Sequence, residues 1–239
     1  MTYLVIDLET TMNNKGEDAI GTFSASPFHP DNKIVLFGSK NSSSPDVFIE
    51  KPKDILEFET DWASIDILVG HNIKFDMAYL YKLDSSFRKE IAGFMVWDTM
   101  LAEYILSGQS KLFPSLDDTA PLYGGTLKDS RVKHMMDAGI CPSEYPLKLL
   151  IEYLKADVLN TEKIFLGQLQ RASDLGLVNL ITTQMAALQA TFMMEMHGTA
   201  FDKNKAFAIS SLLEKDLEIL QALITKSFIE HLPHHQDIN

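Results

Sequence analysis

The chain has 239 residues and a mass of 26.9 kDa, with 46% hydrophobic and 23% charged residues, 12 Gly and 9 Pro. That is enough apolar material for one ordinary domain, or one plus a small appendage, and it excludes disordered and collagen-like classes. Twenty-one Lys and Arg against 33 Asp and Glu leave a formal charge of −12 and a pI near 4.9, which argues against a basic groove gripping long stretches of phosphate backbone.

Cys141 is the single cysteine, so neither an intramolecular disulfide nor a cysteine-based zinc site can form, which suits a reducing cytosol. The opening MTYLVIDLET has no basic segment and only a short apolar run, so it is not read as a signal peptide. The best candidate for a membrane span, Leu188 to Met196, is interrupted by Gln189, Thr191 and Glu195. The expectation is a cytoplasmic protein of a bacterial or phage-infected cell, with no membrane association.

In chain order, Tyr3–Ile6, Lys33–Phe37 and Asp46–Ile49 are apolar runs separated by turn-rich pieces, which predicts an antiparallel meander. A helical pattern follows from about Pro52. Ile65–Gly70 reads as a strand running into a helix over Ile73–Leu83, and Phe94–Trp97 as a strand running into a helix over Thr99–Leu106. A short helix over Leu116–Tyr123 is ended by Gly124-Gly125. From Pro146, the recurrence of Leu147, Leu150, Leu154, Val158 and Phe165 marks an amphipathic helix. A second long helix spans Leu177–His197, and a third runs from about Lys203 to about His231 with Asp202 as its N-cap. Residues 1–175 are expected to form the main domain and 176–239 a helical extension.

Three pairs of residues carry chemistry. Asp7 and Glu9 are two apart at the end of a strand and so point to the same face. Asn72 and Asp76 lie one helical turn apart after a later strand, where Asn72 is also an ordinary N-cap. Tyr153 and Asp157 stack on one face of the amphipathic helix. Singly, each pair is more readily a solvated or half-buried feature of the surface. Jointly, convergence of Asp7, Glu9, Asp76 and Asp157 would require divalent cations, and oxygen-only ligands favour Mg²⁺ or Mn²⁺ over zinc. Two such ions about 4 Å apart stabilise the attacking and leaving oxygens of a phosphoryl displacement.

The segments Val5–Thr11, Gly70–Asp76 and Tyr153–Asp157 resemble the three motifs of DEDD 3′-5′ exonucleases, and the tyrosine four before the last aspartate resembles the DEDDy subclass. A histidine-type member would carry His at position 152, where this chain has Glu152. Trp97–Leu106, Leu122–Gly125 and Glu195–Asp202 are similar to stretches of the proofreading domains of family A DNA polymerases. The resemblance implies an α/β, ribonuclease H-like fold, a mixed sheet flanked by helices, with a C-terminal helical pair like the start of a polymerase thumb. It implies two cations, one held by Asp7, Glu9 and Asp157 and the second shared by Asp7 and Asp76, with Tyr153 orienting the attacking water. Thr10, Asn72 and Phe75 match positions that contact the 3′-terminal nucleotide, and Met12 stands where the family places an apolar wedge.

The implied activity is proofreading-type hydrolysis of a single-stranded or frayed DNA 3′ end, with a family A polymerase module as partner in cis or in trans. An RNase D-like exoribonuclease and a non-catalytic polymerase-associated module are the alternatives. The loop from Met12 to Asn32 departs from the bacterial pattern and is closer to phage polymerases, and the sequence holds no fingers or palm. His231, His234 and His235 read as a polar chain end, Met193, Met194 and Met196 as core, and Lys111, Lys128, Arg131, Lys133 and Lys148 as a solvated face.

Overall fold

The computed structural model describes residues 1–13, 25–51, 62–127 and 130–231. The helix expected from about Pro52, Lys128, His234, His235 and the middle of the loop from Met12 to Asn32 lie outside them. Five strands form one sheet: β1 (Tyr3–Thr10), β2 (Ile34–Asn41), β3 (Phe48–Glu50), β4 (Ile67–Gly70) and β5 (Met95–Asp98), in the spatial order β3-β2-β1-β4-β5. The first three form the expected antiparallel meander, and β4 and β5 add parallel to β1 and to each other. The sheet is therefore mixed, with β1 at its centre.

Parallel strands covered on both faces read as near-continuous apolar runs, and β1 and β4 do so. Leu4, Ile6 and Leu8 of β1 join one core with Ile73, with Met77 and Leu80 of α1 (Lys74–Leu83), and with Phe87 of α2 (Ser85–Glu90). Val5 joins the other, with Val69, Trp97, Ala102 of α3 (Thr99–Leu106), and Leu150, Leu154 and Val158 of α6 (Leu147–Asp174). Between α3 and α6 lie α4 (Leu116–Thr119) and α5 (Ser130–Asp137). A 3₁₀ turn over Ala120–Tyr123 prolongs α4 and stops at Gly124, whose φ of 74° is the left-handed conformation that glycine adopts at a helix end.

The chain divides into two compact units, Met1–Met196 and His197–Asn239. The helix α7 (Val178–His197), placed with the extension on sequence grounds, packs into the first unit: Ile181 and Met185 enter one core and Phe192 the other. The second unit holds α8 (Lys203–His231), capped as expected by Asp202, whose Oδ1 accepts from the Lys205 N–H at 3.0 Å.

One glycine sets how closely α6 lies on the sheet. Gly38 of β2 is the cross-strand partner of Asp7, and a Cβ there would stand 2.9 Å from Leu154 Cγ and 3.0 Å from Val158 Cγ2. Those residues flank Asp157, so the missing side chain is what brings the helix carboxylate down to β1. Gly38→Ala is expected to lower stability by roughly 1–3 kcal/mol through overpacking. Because α6 must lift to accept the methyl, it is also expected to reduce any cation affinity of the site more than an equally destabilising change in α2. Thermal midpoints with and without Mn²⁺ would show this; an unchanged Mn²⁺-dependent shift would refute it.

Candidate active site

The end of β1 builds the floor of the site. β1 pairs with β4 only through Val5, so its last residues extend past the parallel partner, and a register shift between Glu9 and Thr10 ends the regular ladder with β2. Alternation puts Asp7 and Glu9 on the α6 side. There, one carboxylate oxygen from each of Asp7, Glu9 and Asp157 lies within 4.8 Å of the others. Asp76 arrives from α1 on the opposite face, where the Leu8 backbone N–H favours its charged form against the burial that opposes it.

These four acids, together with Tyr153, line one cavity of about 250 Å³. Thr10, Met12, Asn72 and Phe75 line it too, so every site residue expected from the sequence reaches the same hollow. Tyr153 and Asp157 are buried one turn apart on α6, while Glu152 faces solvent and ion-pairs with Lys148 at 4.0 Å. Met12 is held by its backbone N–H, which donates to Cys141 Sγ at 3.4 Å.

Asn72 departs from expectation. It does not cap α1, whose N-cap is Ile73 with no side-chain hydrogen bond; instead its φ is 58°, the left-handed region that asparagine tolerates better than most residues. The turn is held by Asp98, whose Oδ1 accepts the Asn72 N–H at 3.0 Å and that of Met100 at 2.9 Å. Asp98 thus caps α3 and fixes the approach to α1 at once. Burial pushes its carboxyl up to about 6, against these backbone hydrogen bonds.

Asp98 had a legible signal, an Asp before an apolar helical run, but nothing in the sequence says that it grips Asn72. His71 is a second such residue: it lines the cavity while its ring bridges Thr99 Oγ1 at 2.9 Å and the Pro114 carbonyl at 3.0 Å. Both its nitrogens are engaged, which removes it from the candidate ligands. Met136 and Pro142 complete the wall, and Tyr145 lies near enough to Glu9 for that charge, added to burial, to raise its phenol.

The donor set fits a hard divalent cation: carboxylate oxygens, with no sulfur or free imidazole among them. Burial, and next the charge of Asp7, hold the Asp76 carboxyl well above the usual carboxylate range. A cation between Asp7 and Asp76 would reverse that penalty, because it favours the charged form of both.

No family model and no curated protein matches the sequence. Solved structures do. NrnC of Brucella melitensis is 15% identical with a TM-score of 0.53, over 84% of this chain and 88% of that one. RNase D of Escherichia coli, an exoribonuclease involved in structured RNA processing, is 13% identical with a TM-score of 0.51, over 80% of this chain and 44% of that one. The catalytic core of RRP6 from Trypanosoma brucei is 13% identical with a TM-score of 0.52, over 78% of this chain and 46% of that one. At such identities the likeness carries the fold: the mixed sheet flanked by helices is the ribonuclease H-like 3′-5′ exonuclease fold. It gives no support to the narrower expectation of a family A polymerase proofreading domain. Among the described residues, no helix is long and apolar enough to cross a membrane.

Proposed function

We propose that the chain is a divalent-metal-dependent 3′-5′ exonuclease of the RNase D and NrnC kind, which trims single-stranded or short oligonucleotides and releases nucleoside 5′-monophosphates. The observation that carries this is the convergence of Asp7, Glu9, Asp76, Asp157 and Tyr153, from three separate elements, on one cavity. The neighbours add weight, since one is an exoribonuclease and NrnC is described both with bound Mg²⁺ and bound to pGG. RNA or a short oligonucleotide is accordingly preferred to DNA as substrate.

Asp7, Glu9 and Asp157 would hold one cation, and Asp7 with Asp76 the second; Mg²⁺ or Mn²⁺ there supplies charge stabilisation for attack on, and departure from, phosphorus. The protein's own share is positional. Tyr153 presents its phenol beside Asp157, where it orients a water in line with the terminal phosphodiester. Asn72, on its Asp98-fixed turn, and Thr10 hold the last nucleotide against Phe75, with Met12 beside it. Water oxygen bonds to phosphorus and gives up a proton to solvent, the bond to the leaving 3′ oxygen breaks, and that oxygen takes up a proton from solvent.

The test is degradation of 5′-labelled RNA and DNA 12-mers with Mg²⁺, Mn²⁺ or EDTA. A metal-dependent ladder, faster on RNA, is the expected result, and intact label with both metals would overturn the assignment. A ladder on DNA alone, accelerated by an added family A polymerase, would favour the proofreading module, the reading that the resemblance of Trp97–Leu106 and Glu195–Asp202 supports.

A further inference from the structure

A second cavity, of about 340 Å³, adjoins the first. It is bounded by Met100 and Tyr104 of α3, Leu188 of α7, and Leu112 and Phe113 from the connection between α3 and α4. Asn72 lines both cavities, so the two meet at that residue, and Lys74 lines the second.

The connection has an unusual build. Leu112 and Phe113 are consecutive large apolar residues, 69% and 74% exposed. Phe113 has a φ of 52°, a conformation that costs a bulky side chain of order 1 kcal/mol and persists only where surrounding structure enforces it. The enforcement is visible. His71 holds the Pro114 carbonyl directly after Phe113, Lys111 ion-pairs with Asp118 at 2.7 Å, and Ser115 and Asp118 form a reciprocal capping box at the start of α4. A segment pinned on both sides of its apolar tip, and tied to His71, the residue before Asn72, is a poor candidate for a mere connector.

We infer that Phe113 is a stacking platform for the nucleobase immediately 5′ of the scissile phosphodiester, so that the second cavity selects a single-stranded 3′ end with at least two unpaired bases. This rests on the exonuclease reading for the direction of the strand. A chain whose last phosphodiester lies at the acidic cavity and which leaves on the Leu112–Phe113 side passes Asn72, and the surface it meets there is apolar and aromatic. Stacking is tolerant of sequence because every base has a π-face, and it needs little positive charge, as fits a chain of formal charge −12. His71 acts as a positioning residue, since it fixes the platform and is not among the residues that line the second cavity.

The experiment is a cycle between protein and substrate: wild type, Phe113→Ala and Phe113→Trp against oligonucleotides that are intact or carry an abasic residue next to the 3′ nucleotide. Binding is read as Kd by fluorescence anisotropy in Ca²⁺, and turnover as kcat and KM in Mn²⁺. Wild type is expected to bind the intact strand about tenfold more tightly than the abasic one, the scale of one base stack. Phe113→Ala is expected to lose that difference, with its loss of turnover carried by KM more than by kcat, and Phe113→Trp to keep it. Equal discrimination by wild type and Phe113→Ala, equal weakening of both ligands by the alanine, or no discrimination in wild type would each overturn the platform. Absence of turnover would refute the exonuclease reading separately, because the Kd cycle does not depend on it.

Discussion

Asp7→Asn is expected to lower kcat by ~10³-fold or more and, at the same time, to raise the thermal midpoint of the metal-free protein. The two effects have one cause. Asp7 is the carboxylate common to both arms of the site: it clusters with Glu9 and Asp157, and its charge is the largest influence after burial that raises Asp76. Removing the charge weakens both cation positions, yet relieves a like-charge repulsion among buried acids. Asparagine keeps the shape of the side chain beside Gly38, so no cavity or clash offsets the gain. Oligonucleotide turnover in Mn²⁺ and thermal unfolding in EDTA are the two measurements. A stable but active variant would remove Asp7 from the chemistry, and an inactive variant that melts lower than wild type would make Asp7 structural.

Much of this site was legible because its spacings are local. Asp7 with Glu9 is a strand period, Tyr153 with Asp157 is one helical turn, Asn72 and Asp76 bracket the start of α1, and a resemblance to known motifs joined the three pairs. Strand and helix periods likewise place most of the sheet and the three long helices, since β1, β4 and α6 bury apolar faces whose rhythm a sequence shows directly. What was hidden depends on partners distant in the chain. Nothing near Gly38 announces that Leu154 and Val158 press on it from 116 and 120 residues away. Asp98 looks like any helix cap, and only the tertiary structure shows its second grip on Asn72.

The extent of the compact body was not legible for a similar reason. Leu175 and Gly176 end α6 in a way that reads as a boundary, but the next helix returns its Ile181, Met185 and Phe192 to the body. A helix terminus is a local event, whereas a domain boundary is set by where buried contacts stop, and here they stop about twenty residues later. The substrate class was overdrawn by the same logic. Motif chemistry is shared by every nuclease that gathers four acids, so it specifies hydrolysis at phosphorus and leaves the nucleic acid to be decided by surfaces such as that around Phe113.

Acidification from pH 8 towards 5 is expected to stabilise the metal-free protein, and Mn²⁺ to remove most of that gain. Asp76 and Asp98 both titrate above their unfolded value, Asp76 well above it and Asp98 at about 6. For an acid with a raised pKa, the folded state binds more protons than the unfolded one between the two values, so stability rises as pH falls through that window. The penalty is complete above the folded pKa and gone below the unfolded one. For Asp98, a move from 3.8 to about 6 corresponds to about 3 kcal/mol, spread over that interval. Below about pH 4 the trend reverses, as acids held below their ordinary range by hydrogen bonds, Asp84 and Asp118 among them, begin to protonate. Mn²⁺ favours the charged form of Asp76 and so raises the midpoint more at pH 8 than at pH 5.5, leaving chiefly the contribution of Asp98, which holds backbone N–H groups and lies outside the cluster of Asp7, Glu9 and Asp157. Unfolding curves at the two pH values, in EDTA and in Mn²⁺, decide the matter: a midpoint that falls on acidification in EDTA, or an equal Mn²⁺ shift at both pH values, would mean that the buried acids are not strained by their own charge.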